Sequence, residues 1–244
     1  MAKKRATSSG TCELCGEQFA KAAISRHLAK CLAERETEAV GGKGKLREIL
    51  HFRVEGRYLP EYWLHLETAA DSQFATLDAY LRHIWLECCG HCSAFRFPEP
   101  KVAVASRGKK MFAALVAQFD DFDETMRREE AIMRGKLGSR VKVGDTFDYE
   151  YDFGSTTELR LKLVSKRDGN MKPNEVLLLA RNLPPDIRCE CGQPAKFVCG
   201  QCSWEPSGWL CKKCGKGHEC GDEMFLPVVN SPRVGVCGYC GPGE

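Results

Sequence analysis

Between Phe197 and Cys220 the chain reads FVCGQCSWEPSGWLCKKCGKGHEC, which places five cysteines and a histidine within 24 residues. Extended on both sides, the pattern is Cys189-x-Cys191, Cys199-x2-Cys202, Cys211-x2-Cys214 and His218-x-Cys220. Closely spaced thiolates with an imidazole are the ligand set of tetrahedral zinc. Four pairs supply eight ligands, enough for two ions. A segment this short and poor in large aliphatics cannot bury a self-sufficient core, and zinc binding, on the order of 10 kcal/mol in small modules, supplies the deficit. Every coordination position would be filled by protein, whereas a zinc that activates water needs an open one, so the expected role is structural. The favoured pairing is a cross-brace. Cys189, Cys191, Cys211 and Cys214 share one ion, and Cys199, Cys202, His218 and Cys220 share the other. Sequential pairing is the rival.

A third set lies near the start, as Cys12-x2-Cys15-x11-His27-x3-Cys31. Gly16 suits the tight backbone after the first pair, and Ala20 to Ala33 reads as a helix. His27 and Cys31, four apart, then share a helix face. Phe19, Ile24 and Leu28 supply a minimal core. About three structural zinc ions are thus expected.

Other residues are candidates of lower rank. Cys88, Cys89, His91 and Cys92 cluster at a predicted helix end, and Cys237 and Cys240 form a leftover pair. Each group either takes a metal or packs as free thiols. Trp204 and Trp209 flank the Pro-Ser-Gly turn, and they either cover the zinc module, the favoured expectation, or expose a flat aromatic surface for a partner. In TFDYEYDFGSTTELRLKLV, Phe147, Tyr149, Tyr151 and Phe153 alternate with polar residues, and Leu159, Leu161 and Leu163 resume the alternation. A three-residue turn, Gly154-Ser155-Thr156, is the expected connection. That register pairs Tyr151 with Leu159, Glu150 with Arg160 and Asp148 with Lys162. It also sets Asp152 against Glu158 beside Ser155, Thr156 and Thr157, where two carboxylates would repel unless a cation or a basic group intervened. A divalent cation held there, for phosphoester chemistry, is the enzymatic alternative. No Ser/His/Asp order, P-loop or HExxH helix appears, so no catalytic residue is assigned.

The elements that must position these residues divide the chain into four. Residues 1–36 hold the first cysteine set, and 37–45, including AVGGKGK, read as a linker. Residues 46–185 are patterned as an α+β domain, and 186–244 form the cysteine-rich zinc module after LPPD. Within the central part, FRVEGRYLPEYWLHLETAA reads as strands. Leu77, Tyr80, Leu81, Ile84, Trp85 and Cys88 fall on one face of a helix capped by Thr76 and stopped near Gly90. The expected fold is α+β, an antiparallel sheet plus helices. It is flanked by an N-terminal zinc finger of three cysteines and one histidine and by the two-zinc tail.

The string CELCGEQFAKAAISRHLAKCL resembles the ubiquitin-binding zinc fingers of DNA-repair ligases. Those fingers carry an Asp two residues before the last Cys, where this chain has Ala29, so the resemblance implies the finger's fold. The strings YLPEYWLHLE, TLDAYLRHIWLECCGHCSAF, FDYEYDFGSTTELRLKL, LLLARNLPP and LPVVNSPRVGVCGYCG resemble the plasmid pRiA4b Orf-3-like family across residues 46–244. This resemblance implies a small α+β protein associated with plasmids and insertion sequences. The family often shows Asp-Asp-Trp after YDFG, where this chain has Ser155-Thr156-Thr157.

Composition narrows the partners. With 15 cysteines, no leader-like apolar stretch after Met-Ala-Lys-Lys-Arg, and no run long enough for a bilayer, the expected compartment is the reducing cytoplasm. The formal charge of +3 treats every cysteine as neutral; thiolates at three zinc sites would bring it to about −1. Net charge therefore does not single out nucleic acid. Lys3, Lys4, Arg5, Lys21, Arg26, Lys30, Lys43 and Lys45 do make the N-terminal part basic, with Arg26 and Lys30 on the finger helix. The expected function is a non-catalytic, macromolecule-binding adaptor whose partner is protein or nucleic acid, with no small-molecule cofactor.

Overall fold

The computed structural model describes residues 8–38, 46–98 and 113–242. The AVGGKGK linker and the basic residues Lys3, Lys4, Arg5, Lys43 and Lys45 lie outside the described residues. In chain order the main elements are β1 (Ser9–Cys12), β2 (Gln18–Ala20), α1 (Lys21–Glu38), β3 (Leu46–Gly56), β4 (Trp63–Ala69), α2 (Phe74–Leu81), β5 (Ser93–Arg96), α3 (Ala113–Arg134), β6 (Thr146–Tyr151), β7 (Thr157–Asn170) and β8 (Val176–Asn182). Three short strands follow in the tail: β9 (Phe197–Cys199), β10 (Trp209–Leu210) and β11 (Phe225–Pro227). Among the described residues no helix is long and apolar enough to cross a membrane.

Strands β1 to β8 form one antiparallel sheet in the order β2-β1-β8-β4-β3-β7-β6-β5. Period-2 alternation creates its main apolar face. Leu50, Phe52 and Val54 on β3 join Leu64 and Leu66 on β4, Phe147, Tyr149 and Tyr151 on β6, and Leu159, Leu161 and Leu163 on β7. Phe74, Leu77 and Leu81 of α2 and Ile132 of α3 cover it. The tail reaches the same core through Val198 and Val234. Helix α2 starts at Phe74 rather than at a Thr76 cap, and Thr76 Oγ1 instead donates to Asn174 Oδ1 at 3.1 Å. A π-turn over Arg82–Leu86 continues the helix, so Cys88 and Cys89 lie just beyond its end.

The N-terminal segment, expected as a finger, is an extension of this sheet. Strand β1 pairs with β8 through Gly10↔Asn182, Thr11↔Arg181 and Cys12↔Ala180. Helix α1 lays Ile24 and Leu28 against Trp63, Leu179 and Ala180 on the opposite face. Trp63 is fully buried there, and its Nε1 donates to Ser8 Oγ at 3.0 Å. A Cβ on residue 10 would overlap the Trp63 ring and the Arg181 carbonyl, so Gly10 lets the finger's strand cross the indole.

The same face carries buried polar groups. Glu67, 1 % exposed, takes a two-pronged contact from Arg167 at 2.7 and 2.6 Å. Beside it His51 Nε2 and His65 Nδ1 are 2.8 Å apart. Burial, then the Arg167 charge, lowers the His51 pKa to about 4. Burial, then His51 itself, lowers that of His65 to about 3. Both rings are therefore neutral in the folded chain and protonate near pH 6.5 when unfolded. The unfolded state binds the extra protons below that pH, so stability is full above it and declines as pH falls toward 4. Each ring contributes on the order of 3 kcal/mol to that decline. His51→Gln should show a shallower loss of stability than wild type between pH 6.5 and 4. Denaturant melts of both proteins at matched pH isolate the histidine share from zinc loss.

Candidate metal centres

Four groups of Cys and His side chains converge in the described residues, with the ligand atoms of each group within 4.8 Å of one another. The first is Cys12, Cys15, His27 and Cys31. Cys12 ends β1, Gly16 at φ 78° turns the chain back into β2, and α1 carries His27 and Cys31 one turn apart. His27 stacks on Phe19 at 3.8 Å between ring centroids, and its Nε2 lies 3.3 Å from Cys15 Sγ. Burial, then the neighbouring Cys12, pushes the Cys31 thiol up to about 11. A metal ion must displace that proton, so uptake releases acid.

The tail forms two groups, Cys189, Cys191, Cys211 and Cys214, and Cys199, Cys202, His218 and Cys220. The ligands interleave along the chain, which is the cross-braced grouping; Cys191 and Cys199 belong to different sets. Strands β9, β10 and β11 make a small sheet between the two groups. The Cys214 amide, donating to Cys211 Sγ at 3.4 Å, holds the Cys211 thiol near 7. Hydrogen bonding to Cys191 pushes Cys214 up to about 12. In the other group, burial opposes ionisation of Cys199, but the Cys202 amide and His218 outweigh it and bring the thiol to about 7. Hydrogen bonding to Cys220 pushes Cys202 up to about 12. Each tail group thus holds one thiol that ionises near neutrality, a starting point for metal capture.

The fourth group joins residues that form two separate clusters in the sequence: Cys88, Cys89 and His91 with Cys237. Cys92 and Cys240 stay outside it. The Cys92 carbonyl accepts from the Asp152 amide at 2.9 Å, and Cys240 Sγ donates to the Gly238 carbonyl at 3.3 Å. No sequence signal links positions 91 and 237, because the fold alone brings them together.

The hairpin tip differs from its expected form. The observed register pairs Tyr151 with Thr157, Glu150 with Glu158, Tyr149 with Leu159 and Asp148 with Arg160, two residues from the expected one. The connection is therefore residues 152–156 rather than a three-residue turn. Asp152 does not face Glu158. It takes the left-handed conformation, φ 65°, and its Oδ1 accepts from the Gly154 and Ser155 amides at 3.0 and 3.2 Å. Its Oδ2 accepts from Arg233 Nη2 at 2.7 Å. Glu158 pairs instead with Arg57 at 2.7 Å. The expected Asp152–Glu158 pair is thus not assembled at this tip, where Glu150 stands opposite Glu158 instead. Phe153, expected in the apolar row, is 47 % exposed under Arg96.

Arg233 is fully buried. Beyond Asp152, its Nη1 donates to the Ser155 carbonyl at 3.1 Å and to Thr157 Oγ1 at 2.9 Å, and its Nη2 lies 3.5 Å from Cys88 Sγ. Burial works against the Asp152 carboxylate, but Arg233 and the two amides hold it below the usual carboxylate range. This tail residue therefore fixes the hairpin tip and the end of the α2 segment together.

Next to this junction lies a groove of about 460 Å³, walled by Tyr58 and Leu59, by residues 154–158, and by Trp204, Pro232 and Val236. Trp209 packs on the core, but Trp204 is 84 % exposed, so the pair does not cover the module as expected. Ser155 and Thr156 stand on the groove's rim. On the finger, Lys30 pairs with Glu34 at 3.7 Å, and Lys21 with Glu55 at 2.8 Å, while Arg26 is exposed.

No family model matches the chain, and no curated protein matches it. Among solved structures, a protein of unknown function, MM3350 from Methanosarcina mazei Go1, is similar at 14 % identity and a TM-score of 0.39, covering 56 % of this chain and 70 % of that one.

Two outcomes follow from the geometry. Stripping metal with a strong chelator should expose amides 189–227 to rapid hydrogen exchange while those of β3, β4 and β7 stay protected. Cys199→Ser should release one zinc and leave the Cys189 group loaded, as read by metal analysis. Separately, Arg233→Met should destabilise the chain by about 3 kcal/mol, because Asp152 is left buried without its partner. Adding Asp152→Asn should recover part of that loss in equilibrium melts, the sign of direct coupling.

Proposed function

We propose that the chain is a non-catalytic, zinc-built adaptor that binds a protein partner in the groove beside Trp204. Three of the ligand groups, in the finger and the tail, supply four protein ligands each, the donor number of closed structural zinc sites. The observation that carries the partner reading is the exposure of Trp204. A large indole stands open to solvent on a turn held at its two ends by Cys202 and Cys211, which belong to different groups. Exposed aromatics on a rigid frame are typical anchors of protein interfaces, because they contribute large contact area at small entropic cost.

The groove's chemistry favours an apolar or aromatic peptide segment over a phosphate backbone. The cation in its lining, Arg57, is already held by Asp148 at 3.1 Å and Glu158 at 2.7 Å. Tyr58, Leu59, Pro232 and Val236 provide apolar walls. On the finger, the pairing of Lys21 with Glu55 weighs against nucleic-acid binding there. Helix α1 also commits its Ile24–Leu28 face to the sheet. Membership of the pRiA4b Orf-3-like proteins, with their association with plasmids and insertion sequences, is part of this proposal and rests on the strings quoted above. Cytoplasmic residence is likewise proposed from cysteine usage.

The test is capture from lysate of the native host with wild type and with Trp204→Ala/Tyr58→Ala. A partner retained by wild type and lost with the double variant, at unchanged zinc content, is the expected result. Equal recovery by both proteins would place the interface elsewhere. Capture of nucleic acid with a steep salt dependence would replace this reading with the other.

A further inference from the structure

We propose that Cys88, Cys89, His91 and Cys237 form a fourth zinc site, and that its ion clasps the tail to the end of the α2 segment. This goes beyond the structural zincs of the finger and tail, since its ligands come from two segments 146 or more residues apart. Cys89 Sγ and His91 Nε2 are 3.0 Å apart, and His91 Nε2 and Cys237 Sγ 3.2 Å. Cys88 and Cys89 Sγ are 3.7 Å apart, and Cys89 and Cys237 Sγ 3.9 Å. Zn–S bonds of about 2.3 Å and Zn–N bonds of about 2.0 Å set tetrahedral S–N edges of about 3.5 Å and S–S edges of about 3.8 Å, so the four atoms need shifts of about half an ångström to enclose an ion. Three sulfurs and an imidazole nitrogen form a soft donor set that favours zinc over magnesium or calcium.

The backbone is shaped to present these ligands. Cys237 adopts a left-handed conformation, φ 48°, that non-glycine residues seldom hold, between Gly235 at φ 78° and Gly238 at φ 68°. Gly90, at φ 80°, turns the chain so that His91 returns toward Cys89. Groups behind the ligands complete the environment. Arg233 Nη2 lies 3.5 Å from Cys88 Sγ and can stabilise a thiolate ligand there, while the Tyr151 hydroxyl donates to Glu87 Oε1 at 3.0 Å. Asp152 Oδ2 lies 3.6 Å from His91 Nε2, within reach of the charge of a bound cation.

This site differs from the other three in exposure. Each of the others contains at least one buried ligand, whereas Cys89 and Cys237 are exposed and Cys88 and His91 half-buried. Its ion is therefore the most exchangeable of the four. Loss of that ion loosens the turn at residues 236–238, beyond the Arg233 anchor, rather than a module. That turn includes Val236, which walls the groove, so occupancy of the fourth site stiffens that part of the wall.

Metal analysis of reduced, zinc-equilibrated full chain tests the site. Four zincs in wild type, four in Cys240→Ser and Cys92→Ser, and three in Cys237→Ser are expected, with a weak chelator removing one zinc ahead of the rest from wild type. Equal stoichiometry in wild type and Cys237→Ser overturns the site, as does a Cys89–Cys237 disulfide that persists under reducing conditions. Hydrogen exchange tests the clasp in the same samples. Amides of residues 236–240 should exchange about tenfold more slowly in zinc-loaded wild type than in Cys237→Ser. Loss of one zinc with no change in that exchange overturns the clasp.

Discussion

The buried guanidinium of Arg233 is the contact on which the other parts of this protein depend. It arrives from the tail, 81 residues beyond its partner Asp152, and is wholly enclosed by the core. A charge so placed is tolerated only when it is paired and hydrogen-bonded. Asp152 supplies the countercharge, while Ser155 and Thr157 take further protons from the fork. The hairpin tip is in turn built around this demand. Asp152 leaves the strand for the left-handed region, spends its second oxygen on two amides of its own loop, and ends β6 at Tyr151. One interaction thus sets the loop's length, the register of β6 on β7, and the docking of the tail.

That dependence explains which features can be read in the sequence. Alternation of Phe147, Tyr149 and Tyr151 against Leu159, Leu161 and Leu163 locates both strands, since period and hydrophobicity are local properties. The turn is not legible in the same way, because its length is decided by Arg233, far along the chain. A three-residue loop is the better local choice and loses to a five-residue loop that satisfies a distant buried charge. The same holds for Phe153, which continues the apolar pattern on paper but falls beyond the strand's end. It rests instead under Arg96, its ring 47 % exposed.

The groups that could hold metal divide along the same line. Cys12 to Cys31 and Cys189 to Cys220 each lie within a short span, so spacing alone brings the first group and the cross-braced tail into view. Cys88, Cys89 and His91 are also local, but their fourth member is not. Trp204 is opaque for a different reason. Whether an indole beside a turn covers a module or faces solvent depends on the direction of the turn. Here Trp209 packs on the core and leaves Trp204 outward. The finger's junction with the sheet is equally hidden. The strand β1 is four residues long, and its pairing with β8 follows from Trp63 beneath Gly10 rather than from any pattern of its own.

Ligand spacing also orders how these groups can assemble. Closing a loop costs entropy that grows with its length, though slowly, so sets drawn from some 20 to 30 residues need little help from the rest of the fold. The finger and tail groups can therefore capture metal as local events, each compensating a core too small to persist alone. The Cys88–Cys237 group cannot. Its ligands meet only after the sheet has formed, α2 has packed on it, and Arg233 has drawn the tail onto Asp152. Metal bound there would require the assembled fold, whereas in the other three sets it would bind within a short segment. An ion held in this most exposed set would be the first to leave, and its departure would act on the groove wall at Val236 while Arg233 keeps the tail docked.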